Sequence, residues 1–401
     1  MRTVRGGDTR KLRAYNERMI VQAIRSFGPL SKAEIARATG LSAQAAAVIV
    51  NALLEDGLLI KTPKVRGRVG QPQTPLALNP RGAFSLGVKI GRRSVEALVI
   101  DFLGAPVSHW EREHDAPLPE VVMEAARDGV RAALDGLPEG ARDRLAGLGV
   151  AMPGHFDMWW EELDLPPNSL AAWSGLDPAA VLAEETGLEA IFCNDATAAC
   201  AAELALGGAI SAANTLYIYI ATFVGGGVVI DGQLQHGPTG NAGAIGSLPV
   251  AGRDEDGRPR QLIHDASLIT LERELIAAGL DSRGHIYGTA VGPEADALFE
   301  AWMETAAAAL ARACAAASAV MEFEMAVIDG VLNPAWRDRL VAATEAAMDG
   351  VNRAGLSPLR FAAGETGPGA RVLGAAFLPL HGRFSAQPTI FLRELARPAE
   401  A

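Results

Sequence analysis

Gln44 is the side chain of this 401-residue sequence that is best suited to read a base of double-stranded DNA. Its amide can both accept a hydrogen bond from an adenine edge and donate one to it. Its neighbours Ser42 and Ala43 are small, which lets a helix lie deep in a groove. A basic, glycine-rich segment at residues 61–71 carries side chains that could reach phosphates or the minor groove. The candidate DNA-binding residues are Ser42, Ala43, Gln44, Arg66, Arg68 and Gln71.

A second pair of polar residues, Asn194 and Asp195, follows an apolar run at residues 190–193 that predicts a buried strand. At the end of such a strand, an amide and a carboxylate can make paired hydrogen bonds to sugar hydroxyl groups. The same two residue types also favour an Asx turn and a helix N-cap. The residue types alone leave both interpretations open.

Two short helices are predicted to position Gln44. Ser31 and Glu34 form a capping box at the start of the first helix, and Gly40 ends it. Ser42 is the N-cap of a second helix that extends to about residue 55, and this order is typical of a helix-turn-helix. Helical spacing predicts the inward-facing residues Ala45, Ile49, Ala52 and Leu53 and the outward-facing residues Ala43, Gln44, Ala47 and Asn51.

The surrounding segments complete a winged helix-turn-helix. Residues 11–27 predict a preceding helix, and residues 58–60 and 74–78 predict two strands on either side of the basic segment, which together form a wing. Small helical domains often contain such turns, and basic loops are usually only solvated. The capping box, glycine turn, second N-cap and basic hairpin nevertheless occur in the order that DNA binding requires.

Composition restricts the class of protein. Hydrophobic residues make up 49% of the chain and charged residues 21%, which indicates a folded globular protein with room for two or three domains. No apolar run reaches the roughly 18 residues of a membrane span, and residues 1–8 lack the apolar core of a signal peptide. We expect a cytoplasmic protein. The cysteines Cys193, Cys200 and Cys314 are too few and too widely spaced for a disulfide framework or a zinc ribbon, which predicts buried thiols.

Charge is distributed unevenly along the chain. Residues 1–80 contain 13 Lys and Arg against 5 Asp and Glu, which leaves 23 against 42 in residues 81–401. The basic head therefore suits phosphate binding, while the acidic body, like the net charge of −11, repels nucleic acid.

From residue 83 onward, runs that predict strands alternate with runs that predict helices. Two strand-loop-strand openings, at residues 84–100 and 215–230, are each followed by helices, which predicts two similar α/β lobes with a cleft between them. The predicted domains are a winged helix-turn-helix at 1–80, a first lobe at 81–200 and a second lobe at 201–380. A C-terminal helix at 381–401 is predicted to pack back on the first lobe.

Four motifs carry a resemblance to a known family. They are AMPGHFD at 151–157, PPNSLAAW at 166–173, NDA at 194–196, and the glycine-rich stretch from GGG at 225–227 to GNAGAIG at 240–246. With the winged head they resemble the ROK family, which contains sugar-responsive repressors and sugar kinases, and the resemblance covers nearly the whole chain. It implies an actin-like (ribonuclease H-like), two-lobed ATPase-type body that binds sugar in the interlobe cleft.

The resemblance also allows an alternative function, a ROK-type kinase that phosphorylates a hexose with ATP. Phosphoryl transfer needs a phosphate-binding loop, acids for magnesium and a base. Where the family's kinases have Asp-x-Gly-Gly-Thr, this chain has KIGRR at 89–93, and the family's second loop, Gly-Thr-Gly, is ATF at 221–223. The late Gly-Gly-Gly is reduced to DGV at 329–331. We therefore predict no enzyme activity and no cofactor, with Asp195 as a vestigial base.

The family's zinc site is absent as well. Its His and its Cys-x-Cys-Gly-x-x-Gly-Cys cluster have no counterpart, because residues 247–262 contain neither His nor Cys. We predict no metal site. By resemblance, the expected sugar ligands are Asn194, Asp195, Gly154, Asn168 and His264, with His236, Gly240 and Asn241 beside the cleft.

These observations predict a transcriptional regulator, most simply a repressor, of carbohydrate metabolism genes. The predicted partners are operator DNA, a sugar or polyol effector, and a second copy of the chain. A dimer or dimer of dimers is expected because one small head buries too little surface for specific binding.

Overall fold

The computed structural model describes residues 9–64, 74–154, 156–238, 240–253, 257–288 and 292–385. They form an N-terminal head and two α/β lobes. The head comprises α1 (Thr9–Phe27), α2 (Lys32–Thr39), α3 (Ala43–Glu55), β1 (Leu59–Lys61) and β2 (Leu76–Leu78). Because β1 and β2 pair antiparallel, with Leu59 opposite Leu78, they form the stem of a hairpin.

Local signals define the head's helices. Ser31 and Glu34 form the predicted capping box of α2, and Gly40 ends α2 at a φ of 68°, which favours glycine. The inward face of α3 differs from the prediction. Its buried residues are Ala46, Ile49, Val50 and Leu53, whereas the predicted Ala45 and Ala52 are only partly buried.

The first lobe contains a five-stranded sheet with the order β5-β4-β3-β6-β7, antiparallel on the β5 side and parallel on the β7 side. Its elements are β3 (Phe84–Ile90), β4 (Ser94–Asp101), β5 (Pro106–Glu113), α4 (Pro119–Asp135), β6 (Leu145–Met152), α5 (Pro178–Thr186), β7 (Ala190–Asn194) and α6 (Asp195–Ala205).

The second lobe repeats this plan in a sheet with the order β10-β9-β8-β13-β14. Its strands are β8 (Thr215–Ile220), β9 (Gly225–Ile230), β10 (Gln233–Gln235), β13 (Met325–Gly330) and β14 (Arg360–Ala363), with a separate hairpin of β11 (Pro249–Arg253) and β12 (Pro259–Gln261). Its helices are α7 (Leu262–Ala266), α8 (Leu268–Ala277), α9 (Ser282–Tyr287), α10 (Pro293–Met321) and α11 (Pro334–Ala347). The two-lobed α/β body predicted from the sequence is confirmed.

A last helix, α12 (Ala370–Phe384), packs on the first lobe between its sheet and α6. This packing is unusually close: a Cβ on Gly374 would lie 1.8 Å from the carbonyl oxygen of Ala198 in α6. The helix that returns to the first lobe therefore begins inside the range predicted for the second lobe, not at residue 381. Residues 386–401 lie outside the described part of the chain.

Among the residues that the structure describes, no single helix is long and apolar enough to cross a membrane. The helices α2 and α3 reach that length and composition only when taken together across a bend of 114°. All three cysteines are buried free thiols, as predicted.

Candidate functional site

The exposed face of α3 is the candidate DNA-reading surface. Ala43 and Gln44 are exposed in its first turn, and Ser42 is its N-cap, with its Oγ accepting from the backbone N–H of Ala45 at 3.2 Å. Val48, 61% exposed, and Asn51 extend the same face. The helix therefore presents small residues and one long amide side chain to solvent, which fits a major groove.

The basic segment of the wing cannot be compared in the same way. Arg66, Arg68 and Gln71 lie outside the described residues. Their assignment to DNA binding remains a prediction from the sequence, supported by the hairpin stem of β1 and β2 that flanks them.

A small chamber of about 110 Å³ lies between the lobes and brings several predicted sugar ligands together. Gly154, Asn194 and Asp195 line it, as does Asn241. Asn194 is also the N-cap of α6, because its Oδ1 accepts from the N–H of Ala196 at 3.0 Å. A Cβ on Gly154 would lie 3.7 Å from the Asn194 Nδ2 group. The cap thus uses the oxygen of the Asn194 amide, and its nitrogen is the part that can face a ligand.

Asp195 is 8% exposed and is held from two sides. Its Oδ1 accepts from the N–H of Ala196 at 2.9 Å, and its Oδ2 lies 3.4 Å from Nη1 of Arg371 on α12. A carboxylate in this position can accept hydrogen bonds from sugar hydroxyl groups. Its position also ties the chamber to α12.

Asn168 and His264 do not line this chamber. Asn168 is exposed at a φ of 61°, a left-handed turn position that Asn tolerates, and its carbonyl accepts from Ala171 N–H at 3.1 Å. His264 caps α7, with its Nδ1 accepting from the N–H of Gln261 at 3.2 Å. The structure gives both residues local structural contacts, and their assignment as sugar ligands stays a prediction.

A larger chamber of about 580 Å³ adjoins the small one, and the two share Arg92 and Ala221. Lys89, 1% exposed, lies in its wall and donates to Glu96 Oε1 and to Ser94 Oγ, both at 2.7 Å. Burial alone would raise the pKa of Glu96, but Lys89, His109 and Arg371 lower it to about 2. Lys89 and Glu96 therefore form a buried ion pair where a magnesium-binding acid would be needed.

Arg92 occupies the boundary between the two chambers. Its guanidinium carbon lies 4.4 Å from the ring centroid of Phe223, 5.7 Å from that of Trp159 and 5.8 Å from that of Phe156. Burial lowers the pKa of Arg92 to about 10, so the group is still charged at neutral pH. The rings supply the cation–π contacts that partly compensate a buried charge.

A magnesium-bound nucleotide does not fit these residues. The position expected to carry an acid holds Lys89, and Phe223, 6% exposed, fills the loop where a phosphate would approach the backbone. Asp329 is fully buried, and its Oδ2 accepts from Tyr217 Oη at 2.9 Å and from Gly367 N–H at 3.1 Å. Burial raises the pKa of Asp329. This carboxylate therefore stabilises the second lobe and does not face the chamber.

Within the described ranges, no three His, Cys, Asp or Glu side chains are grouped so that they could hold a metal ion. Arg371 and Trp159 are among the cleft residues that no sequence pattern indicated. Arg371 contacts a residue 176 positions earlier, and no local pattern could have revealed that contact.

Comparisons with known proteins identify the family and the fold. Residues 85–261 match the model of the ROK family, and residues 13–60 match a model described as winged helix-turn-helix DNA-binding. The uncharacterized protein y4fQ of Sinorhizobium fredii is 30% identical over 329 residues, which are 82% of this chain and 81% of that protein.

The xylose repressor of Bacillus subtilis is 24% identical over 239 residues, 60% of this chain and 61% of the repressor, so the match spans about three fifths of that relative's length. A crystal structure of a ROK family transcriptional regulator, a homolog of the E. coli MLC protein, superposes with a TM-score of 0.66 at 18% identity. That superposition covers 94% of this chain and 98% of that chain, so the fold is shared by head and body together.

Proposed function

The chain belongs to the ROK family, and we propose that it is a DNA-binding transcriptional regulator, most simply a repressor of carbohydrate metabolism genes. Its effector is a sugar or sugar derivative bound in the cleft between the lobes. The repressor assignment is supported by the similarity to the xylose repressor. In this proposal the protein acts in the cytoplasm as a dimer, because two heads on neighbouring half-sites bury enough surface for specific binding.

The observation that carries the proposal is a winged head joined to a cleft that keeps polar ligands on one side and has lost its nucleotide chemistry on the other. Asn194 and Asp195 line the small chamber together with Phe223, while the Lys89–Glu96 ion pair lies in the wall of the large chamber. A carboxylate base without a phosphoryl donor has no reaction to catalyse. A sugar bound in the cleft can then act as an effector that controls DNA binding.

The contacts between head and first lobe provide a route for that regulation. Arg25 of α1 donates through Nη2 to the carbonyl oxygen of Phe102 at 2.7 Å, and its guanidinium carbon lies 5.9 Å from the ring centroid of Phe377 on α12. The same helix α12 carries Arg371, which faces Asp195 in the cleft. One rigid helix therefore contacts the ligand chamber near its first turn and the head near its middle.

The proposed mechanism is a shift between two arrangements of the lobes. A ligand that contacts both lobes favours closure, α12 and the head move with the first lobe, and the spacing of the two heads in the dimer changes. Affinity for the operator then changes by the differential affinity of the ligand for the two arrangements.

DNA binding can be tested without knowing the operator. Duplexes selected from a random library by the full chain give a recognition sequence, and fluorescence anisotropy at fixed salt gives its affinity. We expect Gln44→Ala to lose about 1–3 kcal/mol of discrimination at one base pair. Gln233→Ala, the same change in the second lobe, should bind DNA as the unmodified chain does. If no duplex is enriched, or if both variants behave alike, DNA reading by α3 is wrong.

The regulatory step is tested next by repeating the anisotropy measurement with a panel of sugars, polyols, sugar acids and sugar phosphates. We expect one class of compound to change operator affinity.

The kinase alternative is tested with a coupled ATP assay over the same panel, where we expect no turnover. Turnover that is lost in Asp195→Asn would instead establish the kinase.

A further inference from the structure

Three arginines, Arg92, Arg93 and Arg371, line the large chamber. Among the described residues, the Nε atoms of Arg92, Arg93 and Arg371 are shielded from solvent and have no hydrogen-bond partner. A buried donor without a partner costs about 1–3 kcal/mol. Three arginine side chains therefore line one cavity, and a guanidinium group matches carboxylate and phosphate oxygens in geometry.

The other charges around the chamber are mostly neutralised by neighbours. Lys89 pairs with Glu96 at 2.7 Å, and Arg283 pairs with Glu113. Glu111 lies on the exposed edge strand β5. These groups therefore leave no strong excess of negative charge facing the arginines.

Nearby acids stabilise the charges of these arginines, with Asp195 and Glu96 acting on Arg371 and Asp195 and Glu162 on Arg92, but their ion pairs are long. Arg93 lies 3.4 Å from Glu272, and Arg371 lies 3.4 Å from Asp195. Both distances exceed the roughly 2.7–2.9 Å of a charge-assisted hydrogen bond. Arg92 contacts aromatic rings, and among the described residues no carboxylate lies within 4.0 Å of it. An incoming anion would therefore gain close contacts without first breaking a strong ion pair.

The first turn of α12 also lines the chamber, and it follows directly on a 3-10 turn in which the N–H of Ala370 donates to the carbonyl oxygen of Gly367. Gly369, the N-cap of this 15-residue helix, makes no side-chain cap hydrogen bond, and Gly369, Arg371, Val372 and Leu373 all line the chamber. Backbone N–H groups at a helix N-terminus and the helix dipole both favour an anion. Together with the arginines they form a site for a negatively charged group.

We propose that the large chamber binds the anionic group of the effector, a carboxylate or a phosphate, through Arg92 and Arg371, with Arg93 at its edge. This inference rests on the proposed function and narrows it, because it makes the effector a sugar acid or a sugar phosphate. The volume of 580 Å³ falls within the roughly 300–1,000 Å³ of small-molecule sites, whereas 110 Å³ does not. A hydroxylated ligand therefore extends from Asn194 and Asp195 past Arg92 into the large chamber.

The first experiment requires no knowledge of the sugar. Inorganic phosphate and acetate are titrated separately into the full chain in a chloride buffer of constant ionic strength, with calorimetry and thermal unfolding as readouts. We expect saturable binding of at least one of the two anions. The anion that binds more tightly indicates whether the effector carries a phosphate or a carboxylate. If neither anion binds more strongly than chloride, the proposal is overturned.

The second experiment uses variants. Arg92→Met should lower the affinity for the more tightly bound anion by about 10- to 100-fold, the loss expected for one hydrogen bond to a charged group. Arg92→Lys keeps the positive charge and should recover part of that affinity. This recovery would show that Arg92→Met acts by removing the charge and not by disturbing the fold. The matched control is Arg127→Met, an exposed arginine that pairs with Glu185 at 2.8 Å far from the chamber, and it should bind anions normally. Equal anion affinity in Arg92→Met and Arg127→Met would overturn the proposal.

The operator assay separates this inference from the proposed function. Matched compounds, glucose, glucuronate and glucose 6-phosphate, are compared in anion binding and in operator release. Suppose that a neutral sugar releases the operator as well as its charged relatives do and that the response survives Arg92→Met. The proposed anion site is then wrong, but the proposed function as a ligand-controlled regulator is supported. If anions bind through Arg92 but no compound on the wider panel changes operator affinity, the anion site stands while ligand control of DNA binding fails.

Discussion

Replacing Arg25 with methionine removes a direct polar contact between α1 and the first lobe. The Nη2 group of Arg25 donates to the Phe102 carbonyl at 2.7 Å, and its guanidinium carbon lies 5.1 Å from the Phe102 ring centroid and 5.9 Å from that of Phe377. A hydrogen bond from a charged group contributes about 1.5–3 kcal/mol, and a cation–π contact about 0.5–1 kcal/mol. Methionine keeps most of the apolar stem, so the contact should weaken by about 2–4 kcal/mol.

The predicted result is a head that opens independently of the body. A loss of 2 kcal/mol, the low end of that range, raises the opening equilibrium by roughly 30-fold. Hydrogen exchange should therefore quicken in α1 and at the Phe102 turn, while the sheets of both lobes keep their protection. Operator binding without effector should survive, because α3 is untouched, but its response to effector should shrink toward zero.

Arg13→Met is the matched control on the same helix. Arg13 is 62% exposed in its side chain and pairs with Glu17 at 2.9 Å, an i,i+4 contact of about 0.3–0.5 kcal/mol. It should leave exchange at Phe102 and the effector response unchanged. Full effector response in Arg25→Met, with normal exchange in α1, would refute the argument that this contact transmits the signal.

Three further predictions concern the body. Gly374→Ala should destabilise the first lobe by about 3 kcal/mol or more in urea unfolding, because its Cβ would meet the Ala198 carbonyl at 1.8 Å, whereas Gly350→Ala, with nothing within 4 Å, should be near neutral. Glu203→Ala should cost about 2–4 kcal/mol, because its carboxylate accepts four hydrogen bonds, three of them from residues 365–366 in the loop after β14, and Glu203→Gln should cost less. The third concerns pH: Glu96 has a folded pKa of about 2, below its ordinary 4.5, so its contribution to stability is present above pH 4.5 and is lost as the pH falls toward 2. That loss should be absent from the unfolding curves of Glu96→Gln. Equal stability of the two glycine variants, no cost in Glu203→Ala, or an identical acid dependence in Glu96→Gln would each contradict the corresponding argument.

The features that can be predicted from the sequence are those whose determining contacts are local. The capping box of α2 and the N-cap of α3 each depend on residues three positions apart, and both are present. The inward face of α3 was assigned wrongly because the helix is rich in alanine, which gives little contrast between its faces. There the larger side chains Ile49, Val50 and Leu53 decide the packing.

The cleft was only partly predictable because its contacts connect distant parts of the chain. Asn194 and Asp195 could be found at a strand end, but the partner of Asp195 is Arg371 on α12. Asn168 and His264 were expected as ligands from their position in the family pattern. A left-handed turn and a helix cap account for them locally, and a single sequence contains nothing that separates those uses from ligand binding.

The distance between Arg371 and Asp195 indicates how a ligand could drive the regulator. A 100-fold change in operator affinity requires a differential binding free energy of about 2.7 kcal/mol between two lobe arrangements. At 3.4 Å, the contact is longer than a charge-assisted hydrogen bond, so an anion that draws Arg371 and Arg92 together can add one or two such bonds within the first lobe. These bonds favour one lobe arrangement when the same ligand also contacts the second lobe. Each contributes about 1.5–3 kcal/mol, which is enough to supply the whole change. Arg371 is on α12, the helix whose Phe377 contacts Arg25 of the head. A ligand that moves α12 can therefore change the position of the head.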